Sequence, residues 1–228
     1  MPSRVLALVA SGGHSSWYLV RDGEARRLGR TRDDAAGESF DKVAQVLGLP
    51  YPGGPVVDRL ARVGDAEAVD LPRPRLKDSR LDFSFSGLKS AAVRWIRAHG
   101  LEGICTTEVP REVNDLLASF ERAVVDLLLS PLEDLADEYK PDLLTASGGV
   151  SANTELRLRL AAAGRRMGVE VLLPPPALTT DNAAMVARAG QVAHARGERH
   201  DPRRIDARSR EAWQPPGMRA LSSRPRVV

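Results

Sequence analysis

The sequence has a single cysteine, Cys105, in 228 residues. One thiol excludes an internal disulfide framework and any zinc site built on paired cysteines within the chain, and it suits a reducing compartment. Aromatic residues are scarce at 4%, so aliphatic side chains must build the core. No apolar run approaches the ~20 residues that a bilayer span needs, and the opening "MPSRVLAL" is too short and wrongly built for a signal peptide. These features point to a cytoplasmic protein. Neither sign of charge dominates: 33 Lys and Arg stand against 30 Asp and Glu, a formal charge of +3. Most of the cations are Arg, which suits phosphate recognition and also follows from base composition alone. The histidines, His14, His99, His194 and His200, form no metal-binding pair on a helix face. The absence of HExxH excludes a zinc protease of that type.

What is present is a globular composition, 43% hydrophobic, enough for one large domain or two small ones. Residues 4–30 read as extended, with a glycine turn in "VASGGHSSWYLV" and an Asp-Gly hairpin turn in "RDGE", which predicts a small β-meander. Residues 34–140 switch to helical periodicity, in "AAGESFDKVAQVLGL", "GPVVDRLARVG", "FSGLKSAAVRWIRAHG" and "PREVNDLLASFERAVVDLLLSPLEDLADEY". Pro131 should divide the last of these. A block so helical reads as an insertion or subdomain. "PDLLTASGGVSANTELRLRLAAAGRRMGVEVLLPPP" then reads as strand, glycine turn, helix and strand, a βαβ unit. "TTDNAAMVARAGQVAHARG" follows as a helix, and residues 198–228 read as an irregular Arg- and Pro-rich tail. The sequence shows no internal repeat.

Glycine turns recur at "SGGH", "YPGGP", "FSFSGLK" and "SGGVSAN". Two follow predicted strands, where loops of open α/β sheets gather around ligands. A Ser-Gly-Gly hairpin tip exposes its amides to a phosphate or carboxylate, and it is equally a plain tight turn. In "SGGVSAN" the Gly148-Gly149 pair allows a flat ring or phosphate to approach, with Asn153 in the first turn of a helix as donor and acceptor; the alternative is an ordinary strand-to-helix connection. Asp41, beside Val43, Ala44 and Leu47 on a helix, is too near the core face for a random surface carboxylate and suits recognition of a hydroxyl. Asp58 is expected in the first turn of the next helix, where the dipole alone favours an acid. Asp181 is expected at the start of the last helix, where a cap explains it equally well.

Taken in order, "SGGHSSWYLV", "GESFDKVAQVLGLPYPGGP", "LDFSFSGLKSA", "ASGGVSANTELR" and "PPPALTTDNAAMVA" resemble the TsaD family, also called Gcp. The resemblance covers roughly residues 5–195. It implies an α/β, actin-like ATPase fold, here the second lobe plus the C-terminal part of the first, with a helical insertion at about 34–140 inside a domain of residues 1–197. The implied activity is transfer of a threonylcarbamoyl group from threonylcarbamoyl-AMP to N6 of the adenosine beside the tRNA anticodon. By resemblance Val9, Ala10, Ser11, Gly12, Gly13, Asp41, Gly54, Asp58 and Asn153 contact substrate. Asp181 would be a ligand to one divalent metal ion, Fe(2+) by family resemblance. TsaB-like and TsaE-like proteins are the implied partners. The family's N-terminal segment, with its phosphate-side loop and HxxxH metal ligands, has no counterpart, so the sequence resembles a truncated form, a gene-model fragment or half of a split protein. No nucleophile or general base stands out. The alternatives are a non-catalytic scaffold paralogue of the same fold and an actin-like small-molecule kinase.

Overall fold

The computed structural model describes residues 3–104, 109–199, 201 and 203. Cys105, His200 and nearly all of the tail expected at 198–228 lie outside the described residues. The chain opens with three strands, β1 (Arg4–Ala10), β2 (Ser15–Arg21) and β3 (Glu24–Arg30). In β1 alternate side chains turn inward, and Leu6, Leu8 and Ala10 are fully buried, as period-two patterning requires of a strand with one face on a core. β1 and β2 run antiparallel from Arg4↔Arg21 to Ala10↔Ser15. β2 turns into β3 at Asp22-Gly23, both residues having positive φ, as the tightest hairpins demand.

Helices α1 (Ala36–Val46), α2 (Gly53–Ala61), α3 (Ser86–Ala98), α4 (Arg111–Leu129) and α5 (Leu132–Tyr139) follow. Pro131 separates α4 from α5; its ring and missing N–H cannot continue a helix. α4 is the hub of the packing. Leu116, Leu117, Phe120, Val124 and Leu128 are fully buried on it. Phe120 meets Phe40 of α1 edge to face at 5.7 Å, and the Trp17 indole of β2 donates to the Leu128 carbonyl at 2.9 Å. One continuous cluster of buried apolar residues joins sheet and helices.

β4 (Leu143–Ser147) then pairs in parallel with β1, from Val5↔Leu143 to Val9↔Ser147. A 3-10 turn (Gly149–Ala152), α6 (Thr154–Met167) and β5 (Glu170–Leu172) complete a βαβ unit, with β5 parallel to β4. The mixed sheet has the order β3-β2-β1-β4-β5. A last helix, α7 (Ala183–Ala195), has no buried residue. No described helix is long and apolar enough to cross a membrane.

Candidate functional site

β1 and β4 are parallel neighbours, so their carboxyl ends share one edge of the sheet. At this edge the β1–β2 hairpin is shaped by its own serine. The Ser11 amide donates to the His14 carbonyl at 2.7 Å, and Ser11 Oγ accepts from the amides of Gly13 and His14 at 3.3 and 3.1 Å. The start of α1 lies flush on this backbone. Gly37 donates its amide to the Ser11 carbonyl at 3.1 Å, and a Cβ on Gly37 would stand 2.8 Å from that oxygen and from the Gly12 amide nitrogen.

One turn further along the same face of α1 is Asp41. Its Oδ1 accepts from the Gly53 amide, the first of α2, at 2.7 Å, while Oδ2 has no partner among the described residues. Along α2, Gly54 leads to Asp58 at i+4, again on one face. Asp58 reaches across to α6: Oδ1 accepts from the Thr154 amide at 2.6 Å and Asn153 Nδ2 at 3.2 Å. Its Oδ2 accepts from Thr154 Oγ1 at 3.1 Å and Arg62 at 2.6 Å. Asn153 caps α6 by accepting from the Leu156 amide at 2.9 Å. The 3-10 turn leads back from Asn153 to Gly148, where φ is +87° and a Cβ would lie 2.3 Å from the Ala10 carbonyl. Hairpin, α1, α2, the head of α6 and the glycine turn thus form a closed circuit of contacts that returns to β1. Val9, Ala10, Ser11, Gly12, Gly13, Asp41, Gly54, Asp58 and Asn153 all lie on it.

Three helix N-termini, of α1, α2 and α6, meet this circuit and favour an anion there. Most of their free donors are already taken by side chains, as at Ala36, whose amide donates to Ser15 Oγ at 3.0 Å. The amides of Gly12 and Gly54 have no acceptor among the described residues, and a Cβ at either position would meet nothing within 4 Å. Both are open donors of the circuit.

Three local expectations are corrected. Asp58 is the sixth residue of α2, not in its first turn, so the dipole of its own helix does not explain it; it serves the N-terminus of α6 instead. Asn153 is the cap of α6 rather than a residue of its first turn. Asp181 precedes α7 and is not its cap; Asn182 takes that role, accepting from the Met185 amide at 3.0 Å. Exposed Asp181 makes no hydrogen bond or ion pair with a described residue. Its neighbour Thr180 places a methyl 3.8 Å from where a Gly149 Cβ would be, so Asp181 stands beside the circuit. "FSFSGLK" is held by the acids before α1: Asp33 accepts from the Ser84 and Ser86 hydroxyls at 2.6 and 2.8 Å and from the Phe85 amide at 2.8 Å, and Lys89 pairs with Asp34. Burial alone would raise the Asp33 carboxyl, but these donors outweigh it and hold it below its usual value.

Sequence reading misses one site residue, Glu121 of α4. It is 7% exposed, and its Oε1 accepts from Asn153 Nδ2 at 2.5 Å. Burial, reinforced by the nearby charges of Asp58 and Glu155, pushes its carboxyl up to about 7 against the opposing pull of Asn153 and Arg62. The signal was periodicity. Glu121 lies four residues after Leu117 and seven before Leu128, on the apolar face of an otherwise regular amphipathic helix.

The family model for TsaD, tRNA N6-adenosine threonylcarbamoyltransferase, matches residues 1–188. The chain belongs to the TsaD family. A tRNA N6-adenosine threonylcarbamoyltransferase of Anaeromyxobacter sp. (strain Fw109-5) is 48% identical over 212 residues, covering 92% of this chain and 61% of that protein. The namesake of Moorella thermoacetica is 46% identical over 192 residues, covering 83% and 54%. This TsaD-family chain therefore spans a little over half the length of those curated relatives. Among solved structures, full-length HypF in a phosphate- and nucleotide-bound form shares the fold, with a TM-score of 0.56 at 13% identity over 76% of this chain and 37% of that one. Among the described residues no three His, Cys, Asp or Glu converge as a metal site, so Asp181 alone does not fit a held metal ion.

Proposed function

We propose that this TsaD-family chain carries the adenylate-holding part of a tRNA N6-adenosine threonylcarbamoyltransferase. The observation that supports this most is the closed circuit, because it gathers nine positions from four separate segments at the carboxyl edge of a mixed α/β sheet. Within it the unpaired amides of Gly12 and Gly54 suit the phosphate of threonylcarbamoyl-AMP, and the free Oδ2 of Asp41 suits a ribose hydroxyl. In the reaction the N6 amine of the tRNA adenosine attacks the carbamoyl carbonyl. A C–N bond forms, the C–O bond to the adenylate phosphate breaks, AMP departs and the amine loses a proton. The chain's share in this is binding and orientation, which are themselves large contributors to rate; no described side chain is assigned as nucleophile or base.

In this reading residues 1–197 form an actin-like unit comprising the second lobe and the end of the first. Helices α1–α5 are its inserted subdomain, and residues 198–228 a tail. Asp181 would contribute one carboxylate to a divalent metal, Fe(2+) by family resemblance, with the other ligands supplied from elsewhere. tRNA, TsaB-like and TsaE-like proteins are the expected partners, in the cytoplasm.

The test is titration calorimetry of the chain with AMP and with threonylcarbamoyl-AMP. Binding is expected, and Asp41→Ala should weaken it by ~1.5–3 kcal/mol, the range for a hydrogen bond to a charged group. No binding of either ligand, or equal affinity in a folded Asp41→Ala variant, would overturn the reading.

A further inference from the structure

The chain carries a formal charge of only +3, yet its cations are not spread evenly. Residues 26–32 and 73–82 hold eight Lys and Arg against two acids, Asp78 and Asp82, while the rest of the chain is slightly acidic, 25 against 28. A base composition that favours arginine raises the count everywhere and does not concentrate it in two segments. The fold brings these two segments together. Leu81 lies so close to β3 that a Cβ on Gly29 would stand 2.0 Å from its carbonyl oxygen. The Phe83 amide donates to the Arg30 carbonyl at 2.9 Å, and the Arg32 amide to the Phe83 carbonyl at 3.0 Å. Arg32 reaches Asp78 at 3.4 Å, which sets Lys77 beside the end of β3.

Part of the charge on this surface is neutralised locally. Arg32 pairs with Asp78 and Asp82, Arg73 with Asp126 and Arg80 with Asp134, and Arg26 lies over the Tyr139 ring. Arg27, Arg30, Arg75 and Lys77 are exposed and have no ion-pair partner among the described residues. Asp82 lies near Arg30 but gives its two oxygens to the Arg30 amide and to Arg32. Asp33, the next acid along the chain, accepts instead from Ser84, Phe85 and Ser86. Arg27 and Arg30 stand opposite Tyr18 and Ser16 of β2, so both belong to the sheet face turned away from Trp17 and α4. The strip starts at the circuit: the Thr31 amide, next to Arg30, donates at 2.8 Å to the carbonyl of Ser15, the residue that follows His14 of the hairpin. Arg27 lies about 10 Å further along β3.

We propose that Arg27, Arg30, Arg75 and Lys77 form a track for the phosphate backbone of tRNA that leads to the glycine hairpin. The choice of tRNA rests on the transferase reading; the track for a polyanion rests on charge and placement. An adenosine that reaches the adenylate is carried over the edge of the sheet by its own strand, and unpaired cations beside that edge neutralise phosphates and set orientation without reading sequence. The planar fork of arginine suits phosphate oxygens in particular. A bilayer fits this surface less well, because interfacial binding buries apolar side chains beside the cations, and none of the exposed large apolar side chains among the described residues lies in either segment.

The experiment measures binding of an unmodified tRNA transcript to the purified chain by fluorescence anisotropy between 50 and 200 mM salt, on the order of the range where counterion release is read most clearly. The combined variant Arg27→Gln, Arg30→Gln, Arg75→Gln, Lys77→Gln should bind about tenfold or more weakly, with the slope of log affinity against log salt smaller by about 3, at roughly 0.7–0.9 per lost phosphate contact. A control with the same loss of charge at exposed cations elsewhere, Arg59→Gln, Arg94→Gln, Arg165→Gln, Arg188→Gln, should stay close to wild type. Circular dichroism checks that both variants fold. Absence of tRNA binding by the wild type, unchanged affinity in the strip variant, or equal losses in the two variants would overturn the proposal. So would anionic phosphatidylserine vesicles bound through these four residues with tRNA affinity unaffected. AMP affinity separates the two readings: tRNA bound through the strip by a chain that binds neither AMP nor threonylcarbamoyl-AMP would support the track and overturn the adenylate reading instead.

Discussion

Two neighbouring residues, Asp181 and Asn182, show how far side-chain identity alone determines a role. Both are short, polar and placed where a helix begins, and both types cap well. The structure separates them by one position: Asn182 satisfies the Met185 amide, and Asp181 satisfies nothing among the described residues. Asn182→Ala should therefore lower stability by ~1 kcal/mol, whereas Asp181→Asn should change it by less than ~0.5 kcal/mol, as read from denaturant unfolding. Equal losses in the two variants would mean that the cap is shared. Asp41 differs, because one oxygen serves the start of α2 and the other is open. Asp41→Ala should cost some folding stability as well as affinity, so a fold control belongs in that experiment.

At the scale of elements, the strand endings depend on the approach of Gly148 to β1. A residue with a side chain there meets two penalties, the backbone conformation at φ +87° and a Cβ 2.3 Å from the Ala10 carbonyl. The neighbour is backbone at the end of the sheet's central strand and cannot turn away. Gly148→Ala should destabilise the chain by on the order of 3 kcal/mol, measured as a fall in the urea midpoint with an unchanged slope; a loss below ~1 kcal/mol would show that the turn can rearrange. The meander, the division at Pro131 and the βαβ unit were all legible in the sequence, because each rests on a local signal: strand alternation, a missing N–H, or glycines after an apolar run. The link between Asp58 and the head of α6 was not. It joins residues 96 apart, and no local period encodes a side chain that caps a helix other than its own. Glu121 was hidden for a related reason: its meaning comes from Asn153, 32 positions on.

For the molecule as a whole, Glu121 also links stability to pH. Its carboxyl has an ordinary value of 4.5 in the open chain and about 7 when folded, so the folded state holds the proton more tightly. Its contribution is fully present below pH 4.5 and is lost as pH rises through 7, on the order of 3 kcal/mol in all. Asp33, Asp34 and Asp82, all held below their usual value, act in the opposite sense and favour the folded state above the acid range. Unfolding measured between pH 5 and 8 should show stability declining in the wild type and a flatter profile in Glu121→Gln. An identical slope in both would assign the decline to other groups.

The order of the sheet has a further consequence for solubility. Its two rims are β3 and β5, and an open rim invites another chain to add a strand. β5 is three residues long, too short to template much. β3 is seven residues long, but it carries Arg26, Arg27 and Arg30, all exposed, and past its end Thr31 is bridged by Phe83. Part of the rim is thus closed by the chain itself, and the rest bears cations that repel a second copy of the same strand. The sheet resists end-to-end growth through arginine, at a strand that contributes no residue to the adenylate-holding circuit.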